Sequence, residues 1–240
     1  MADPVAWTVT AVNAPEHAGN RIHTDEGARE QGFPAALVAG VTTYAYLTRP
    51  LVDAWGIDWL AHGGGEVRFR APVLAGDCVA CTPVATGDGV RVEARVDRAR
   101  EPLAVFTAGE HGDHVPPERE GELLADREVE LIDRLGSGYG TRVDDDLDLY
   151  TRDGIIHPAV WPAIANDVFS ADLVRGSWIH TRSRIQHHGV AHDGDVVIVR
   201  STVIERFHRR GERAVADVRI ERNGQPLVTI EHEAIIDLHG

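Results

Sequence analysis

Two stretches of this 240-residue chain repeat one spacing, and that repeat constrains the fold more than any other feature. In "LAHGGGEVRFRAPVLAGDCVA" His62 stands fifteen residues before Asp77, and in "WIHTRSRIQHHGVAHDGDVVI" His180 stands fifteen before Asp195. Each aspartate follows a glycine and opens an apolar strand. Farther on, "REPLAVFTAGEH" and "GQPLVTIEHEA" match at Pro102-Leu103 and Pro226-Leu227, where the offset has grown from 118 to 124 residues. A longer hairpin around "ERFHRRGERA" accounts for the growth. A period near 120 is too long for a solenoid and suits two fused domains, each able to bury a core.

Both halves read as a strand, a polar loop, one helix and several long strands. "AWTVTAV" alternates as a strand. Leu37, Val41, Tyr44 and Leu47 recur at helical spacing after Pro34, a residue suited to a helix start, and Pro50 is expected to end or kink that helix. In the second half, "HPAVWPAIANDVFS" places Trp161, Ile164, Ala165, Val168 and Phe169 on one broad helical face. "EVRFRAPV", "CVACTPVAT", "VRVEARVDR" and "LAVFTAG" read as antiparallel strands, with "SRIQHHGV", "VVIVRSTVIER", "AVADVRIER" and "LVTIEHEAIID" as counterparts. Turns such as "TGDG" and "RNGQ" join them.

One mostly buried helix followed by long antiparallel strands is an α+β unit whose sheet wraps its helix. Two such units can pair their sheets edge to edge. The expected organisation is a first unit over residues 1–112, an acidic, proline-bearing linker over 113–125 and a second unit over 126–240.

Composition removes several functions. A formal charge of -14 argues against nucleic acid and anionic membrane surfaces, which attract clustered cations. The chain contains no lysine, which removes Schiff-base chemistry, lysine-bound pyridoxal phosphate and the P-loop lysine. The opening "MADPVAWTVT" has no basic lead, and no stretch reaches the roughly 18 apolar residues of a membrane span. A soluble, cytoplasmic protein is expected.

Cys78 and Cys81 lie three apart on one strand, face opposite ways and read as small core residues. His187, His188 and His192 are dense, yet neighbours on a strand diverge and no zinc motif is present. "HGGG" at His62 to Gly65 lacks the Gly-x-Ser-x-Gly elbow that would make it an oxyanion motif. Neither a metal nor a cofactor is expected.

The stretch "NRIHTDEGAREQGFPAALVAG", followed by "VRFRAPVLAGD", resembles the MaoC-like enoyl-CoA hydratases and dehydratases. Their first half carries an Asp-x-Asn-Pro-(Ile/Leu)-His loop, an Ala-x-x-x-Gly-Phe stretch, a His-Gly helix start and a Phe-x-x-Pro-Val-x-x-Gly-Asp lead-in. "GSGYG" and "IIHPAVWPAIAN" are similar to the second half of polyketide dehydratase domains. The resemblance implies a double hotdog, two fused units that each wrap an antiparallel sheet around a central helix.

It also implies site residues. His23 falls on the family histidine and Asn20 on its asparagine, but Arg21 falls on the proline and Ala18 on the catalytic aspartate. In the second half, Pro162 falls on the catalytic aspartate and Asn166 on a later polar position. Ala39 replaces the histidine of the His-Gly step, while Gly40 remains.

The resemblance implies an acyl thioester, on coenzyme A or an acyl carrier protein, that is hydrated, dehydrated or cyclised. His23 would be the acid/base and Asn20 its helper. The helix start at Gly40 and Val41 would hold the thioester carbonyl through free N–H groups. Glu16, Asp25 and Glu26 are carboxylates near the loop, although "TDE" before a helix also suits capping and dipole complementation. His157, at the second helix start, could face the cleft or cap. Asn166 and Asp167 are further second-half candidates.

Two other readings stand beside this one. The missing aspartates suit a catalytically inactive hotdog that binds an acyl chain or a partner, and a hotdog thioesterase is a third. No nucleic-acid or membrane partner is expected, and a homodimer is left open.

Overall fold

The computed structural model describes residues 2–87, 89–109 and 114–238. In chain order the elements are β1 (Trp7–Thr10), α1 (Asp25–Glu30), α2 (Gly40–His62), β2 (Gly64–Phe69), β3 (Cys78–Thr86), β4 (Gly89–Arg95) and β5 (Ala104–Ala108). There follow β6 (Glu122–Leu123), β7 (Arg127–Glu130), α3 (Tyr139–Arg142), α4 (Leu149–Asp153), α5 (Val160–Asp172), β8 (Ile179–His187), β9 (Val196–His208), β10 (Glu212–Arg222) and β11 (Gln225–Asp237).

All strands among the described residues join one sheet, ordered β1-β3-β4-β5-β2-β8-β11-β10-β9-β6, with β7 also on β9. The first five belong to one half of the chain and the rest to the other. They meet at a single antiparallel seam where β2 pairs with β8, from Gly64 opposite Gln186 to Arg68 opposite Arg182. This is the double hotdog plan, with α2 and α5 on the inner face. The accessible surface of 10964 Å² is close to the ~10,600 Å² of a compact monomer of this mass, so the two halves form one body.

The repeated Gly-Asp pairs turn out to build one turn twice. Asp77 Oδ2 accepts from the Leu74 N–H and Asp195 Oδ2 from the His192 N–H, both at 2.8 Å. Gly76 and Gly194 take φ of +87° and +85°, a left-handed conformation that glycine adopts without a steric penalty. The Gly76 N–H donates to the Ala11 carbonyl and the Gly194 N–H to that of Leu131, which anchors each turn to the strand opening its half. The turn at Asn223-Gly224 has positive φ at both residues, as a tight hairpin requires. The hairpin between β9 and β10 is longer than that between β3 and β4, as the growing offset suggested, and carries Arg210 and Arg213 toward the cavity described below.

Two expectations need correction. The first helix begins at Gly40 rather than after Pro34, because Leu37 forms an isolated bridge with Leu74. Pro50 neither ends nor kinks it: the helix runs through the buried proline to a break at Gly56, where φ is +58°. The helix is central to the core, with Tyr44 and Trp59 edge-on to Phe106 at 5.6 and 6.1 Å between centroids. Burying each such side chain contributes about 2 kcal/mol, enough to offset much of the one backbone bond a proline removes.

The expected boundary at residues 112 and 113 lies outside the described residues, as does Asp88 of "TGDG". The last part of the expected linker holds a strand, since Glu122–Leu123 pairs with β9. Among the described residues, no helix is long and apolar enough to cross a membrane.

Candidate active site

The loop between β1 and α2 is held by its own polar groups. Thr24 caps α1, its hydroxyl accepting from the Gly27 N–H at 3.2 Å. Asn13 ties both flanks together: its amide donates to the Leu37 carbonyl at 2.8 Å, and its Oδ1 accepts from the Ala39 N–H at 3.2 Å. The Leu37 carbonyl also takes His23 Nδ1 at 2.8 Å. A carbonyl only accepts, so Nδ1 carries the ring proton and Nε2 is left as a lone pair. Burial lowers the His23 pKa below its ordinary value, partly opposed by the Leu37 hydrogen bond.

His23 and Asn20 stand where two cavities meet. One, of about 250 Å³, is lined by Ile22, Phe33, Leu37 and Phe69, with Gly40 at its inner wall. The other, of about 260 Å³, is polar and holds Glu16, His17 and Ala163. Asn20, His23, Asn166 and Trp178 border both. The Asn20 amide donates to the Trp178 carbonyl at 2.9 Å, so the first-half loop is docked on the second half. The Oδ1 atoms of Asn20 and Asn166 are buried without a hydrogen-bond partner. Buried acceptors of this kind ordinarily find a donor, and a ligand or water at the junction would supply one.

Gly40 opens α2, and the first intrahelical bond runs from the Thr43 N–H to the Ala39 carbonyl. The N–H groups of Gly40, Val41 and Thr42 therefore precede the helical ladder. Val41 itself is fully buried in the core and does not line the cavity.

Two side chains that the sequence did not single out as site residues line these cavities, one in each. His180, on β8, lines the first cavity and is buried. Its Nε2 lies 2.8 Å from Ser183 Oγ, which lies 2.9 Å from His232 Nδ1 on β11. His17, in the second cavity, has its ring 5.9 Å from that of His23. Burial, then the neighbouring His23, lowers its pKa to about 4. Strict alternation would turn His180 and Ser183, three apart, to opposite faces; a register shift opposite Glu233 and Ala234 brings them together, and the β8–β11 pairing sets Ser183 against His232.

Several expected residues are used elsewhere. Asp25 is exposed; its Oδ1 accepts from the Ala36 N–H at 3.0 Å and it pairs with Arg29, a loop and capping role. Glu26 is an exposed first-turn carboxylate of α1. Glu16 borders the second cavity, paired with Arg142 at 3.2 Å. Asp167 is half exposed at the rim and paired with Arg134 at 2.7 Å. His157 faces neither cavity: it is fully buried, receives the Ala159 N–H on Nδ1 at 3.1 Å and holds Asp145 through Nε2. Ala18 is exposed and outside both cavities, and Pro162 is buried in the first turn of α5. The junction thus holds two amides and an imidazole, without a free carboxylate among the residues bordering both cavities.

No family profile matches this sequence, and no curated protein matches it. Solved structures do. A MaoC-like dehydratase superposes with a TM-score of 0.58 at 12% identity, over 97% of this chain and 97% of its own. A conserved protein from Mycobacterium tuberculosis described as a double hotdog gives 0.59 at 10% identity, over 98% and 96%. The dehydratase domain of PpsC from Mycobacterium tuberculosis, solved in complex with C12:1-CoA, gives 0.52 at 14% identity, over 96% and 93%. The chain has the double hotdog fold, the fold of these dehydratases, over nearly its whole length.

Proposed function

We propose that the protein is an acyl-thioester hydratase or dehydratase acting on coenzyme A or acyl-carrier-protein substrates, with His23 as the proton-transfer group. The observation that carries this reading is the Leu37 carbonyl, which fixes His23 so that its second nitrogen is a lone pair on a ring bordering both cavities. A base needs that tautomer, and a lowered pKa keeps it in place at neutral pH.

In dehydration, Nε2 takes the proton from Cα of a 3-hydroxyacyl thioester. The Cα–H electrons form the Cα=Cβ bond, the Cβ–O bond breaks, and the same Nε2–H returns the proton to the departing hydroxyl as water. Asn20 and Asn166 accept hydrogen bonds from that water through Oδ1, in place of the carboxylate absent at Ala18 and Pro162. The first-turn N–H groups of α2 receive the thioester carbonyl, where negative charge gathers in the transition state. Hydration is the reverse.

The test follows enoyl absorbance with crotonyl-CoA and with 3-hydroxyacyl-CoA. The wild type is expected to change the band and His23→Ala to lose at least ~10²-fold in kcat. The rate should still be at its plateau at pH 6.5 and fall only in more acidic solution, because burial holds the His23 pKa below the ordinary histidine value. Binding without turnover would move the assignment to acyl binding alone, and free thiol release would move it to a thioesterase.

A further inference from the structure

The buried chain His180–Ser183–His232 is not needed by the reaction as drawn. His180 is 6% exposed, and Ser183 and His232 are 0% exposed. Their surroundings are apolar: the Phe69 ring lies 4.7 Å from that of His180, and the Phe169 ring 4.7 Å from that of His232. The sheet makes its own ladder without these side chains, and valine or isoleucine would fill such positions. Three polar groups kept in a core, with both outer nitrogens of the chain (His180 Nδ1 and His232 Nε2) unsatisfied, carry a cost that apolar residues would avoid.

One of the two unsatisfied ends points to the site. His180 Nδ1 is buried without a partner. A Cβ built on Gly40 would lie 3.1 Å from that nitrogen, so the missing side chain at the start of α2 leaves the contact open. The nitrogen thus stands beside the N–H groups that precede the helical ladder, at a wall of the first cavity.

We propose that His180 Nδ1–H is a second hydrogen-bond donor to the thioester carbonyl oxygen, beside the first-turn N–H groups of α2, and that Ser183 and His232 are positioning residues that hold its ring through Nε2. The proposal rests on the thioester reading above and names the group that completes its oxyanion site.

Ser183 has a single hydroxyl proton, so the chain runs in one of two orders. In the order that leaves a donor at the cavity, His232 Nδ1–H donates to Ser183 Oγ, the Ser183 hydroxyl donates to His180 Nε2, and His180 carries its proton on Nδ1. A carbonyl oxygen offers only lone pairs, so this is the tautomer that a bound thioester selects. Burial lowers the His180 pKa to about 3, so the ring stays neutral. It acts by hydrogen bonding alone, and no proton leaves it.

The experiment is difference infrared spectroscopy of octanoyl-CoA labelled with ¹³C at the carbonyl, alongside crotonyl-CoA hydration. The wild-type carbonyl band is expected to move to lower frequency on binding. His180→Leu should lose part of that shift and ~10²-fold in kcat, with KM changed far less. His180→Asn, whose amide N–H lies near the Nδ1 position, should recover much of both, and Ser183→Ala should fall between.

An unchanged shift and kcat in His180→Leu overturns the proposal and leaves the His23 reading standing. Equal losses in His180→Leu and His180→Asn also overturn it, because packing alone then explains both. A wild type that neither binds octanoyl-CoA nor hydrates crotonyl-CoA overturns the proposal together with the hydratase reading.

Discussion

His157 Nε2 lies 3.2 Å from Asp145 Oδ2 with neither side chain exposed, and Arg49 of α2 reaches the same carboxylate at 3.3 Å. The Ala159 N–H occupies Nδ1, so Nε2 is the donor to Asp145. The pair is a buried brace between the two helices. Removing His157 leaves Asp145 with Arg49 and the Leu147 N–H, and removing Asp145 leaves the buried Nε2–H of His157 unpaired, each at a cost of about 1–3 kcal/mol. Urea denaturation of His157→Ala and Asp145→Ala should show losses of that order, and the double variant should lose little more than either single one. The KM of the folded variants should stay at the wild-type value, since neither residue lines a cavity.

Acid should unfold this protein early. Burial holds His187 at about 4, His180 at about 3, and His232 well below the ordinary histidine value. Above pH 6.5 both states hold these rings neutral and stability is at its plateau. As pH falls below that value the unfolded chain takes up protons that the folded chain refuses. Stability is therefore lost from about pH 6.5 toward the folded pKa values, at about 1.4 kcal/mol per pH unit per ring, or about 4 for three rings. His17 and His23 add in the same sense. Denaturant midpoints between about pH 6 and about pH 5, above the ordinary carboxylate range, measure the slope. A flat profile there would refute the assignment of buried neutral imidazoles.

Gly40→Ala separates stability from binding. The position has no left-handed φ, and alanine is the better helix former by up to ~1 kcal/mol. The added methyl would press on His180 from 3.1 Å and intrude on the wall of the cavity. The melting temperature should change little, while affinity for octanoyl-CoA measured by calorimetry should fall at least ~10-fold. A matching loss of both would mean that the helix start, rather than the ligand, needs the glycine.

The two thiols should react at very different rates. Cys78 is exposed on β3, whereas Cys81 is fully buried and its thiol is pushed well above the usual range by burial. A chromogenic disulfide reagent should label one thiol per folded chain and the second only on unfolding. Mass spectrometry of the labelled peptide identifies which.

The two-unit plan was legible because its signal is local. The glycine must take positive φ and the aspartate must accept a backbone N–H three residues back, so Gly76-Asp77 and Gly194-Asp195 leave the same mark in both halves. His23, Asn20, Gly40 and Asn166 were singled out by their places in a motif, and all four line the first cavity.

What escaped was set by contacts between distant segments. His180 gains its meaning from Gly40, 140 residues earlier, and from His232 across the β8–β11 ladder. Asp25 looked free in a polar loop, but the Ala36 N–H takes it. Pro50 was read by local rules that the surrounding core overrides.

The seam also decides stoichiometry. Around the start of α5, at the place corresponding to Gly40, His157, Tyr139, Tyr150 and Asp145 fill the interior, with the two tyrosine rings 5.2 and 4.5 Å from the imidazole. Two identical hotdogs would have carried two equal clefts. Here one half supplies the loop with His23 and the other supplies the strand with His180, while the twin position has become solid protein. Among the described residues this twin position is closed, and an equilibrium titration with octanoyl-CoA is expected to saturate at one molecule per polypeptide.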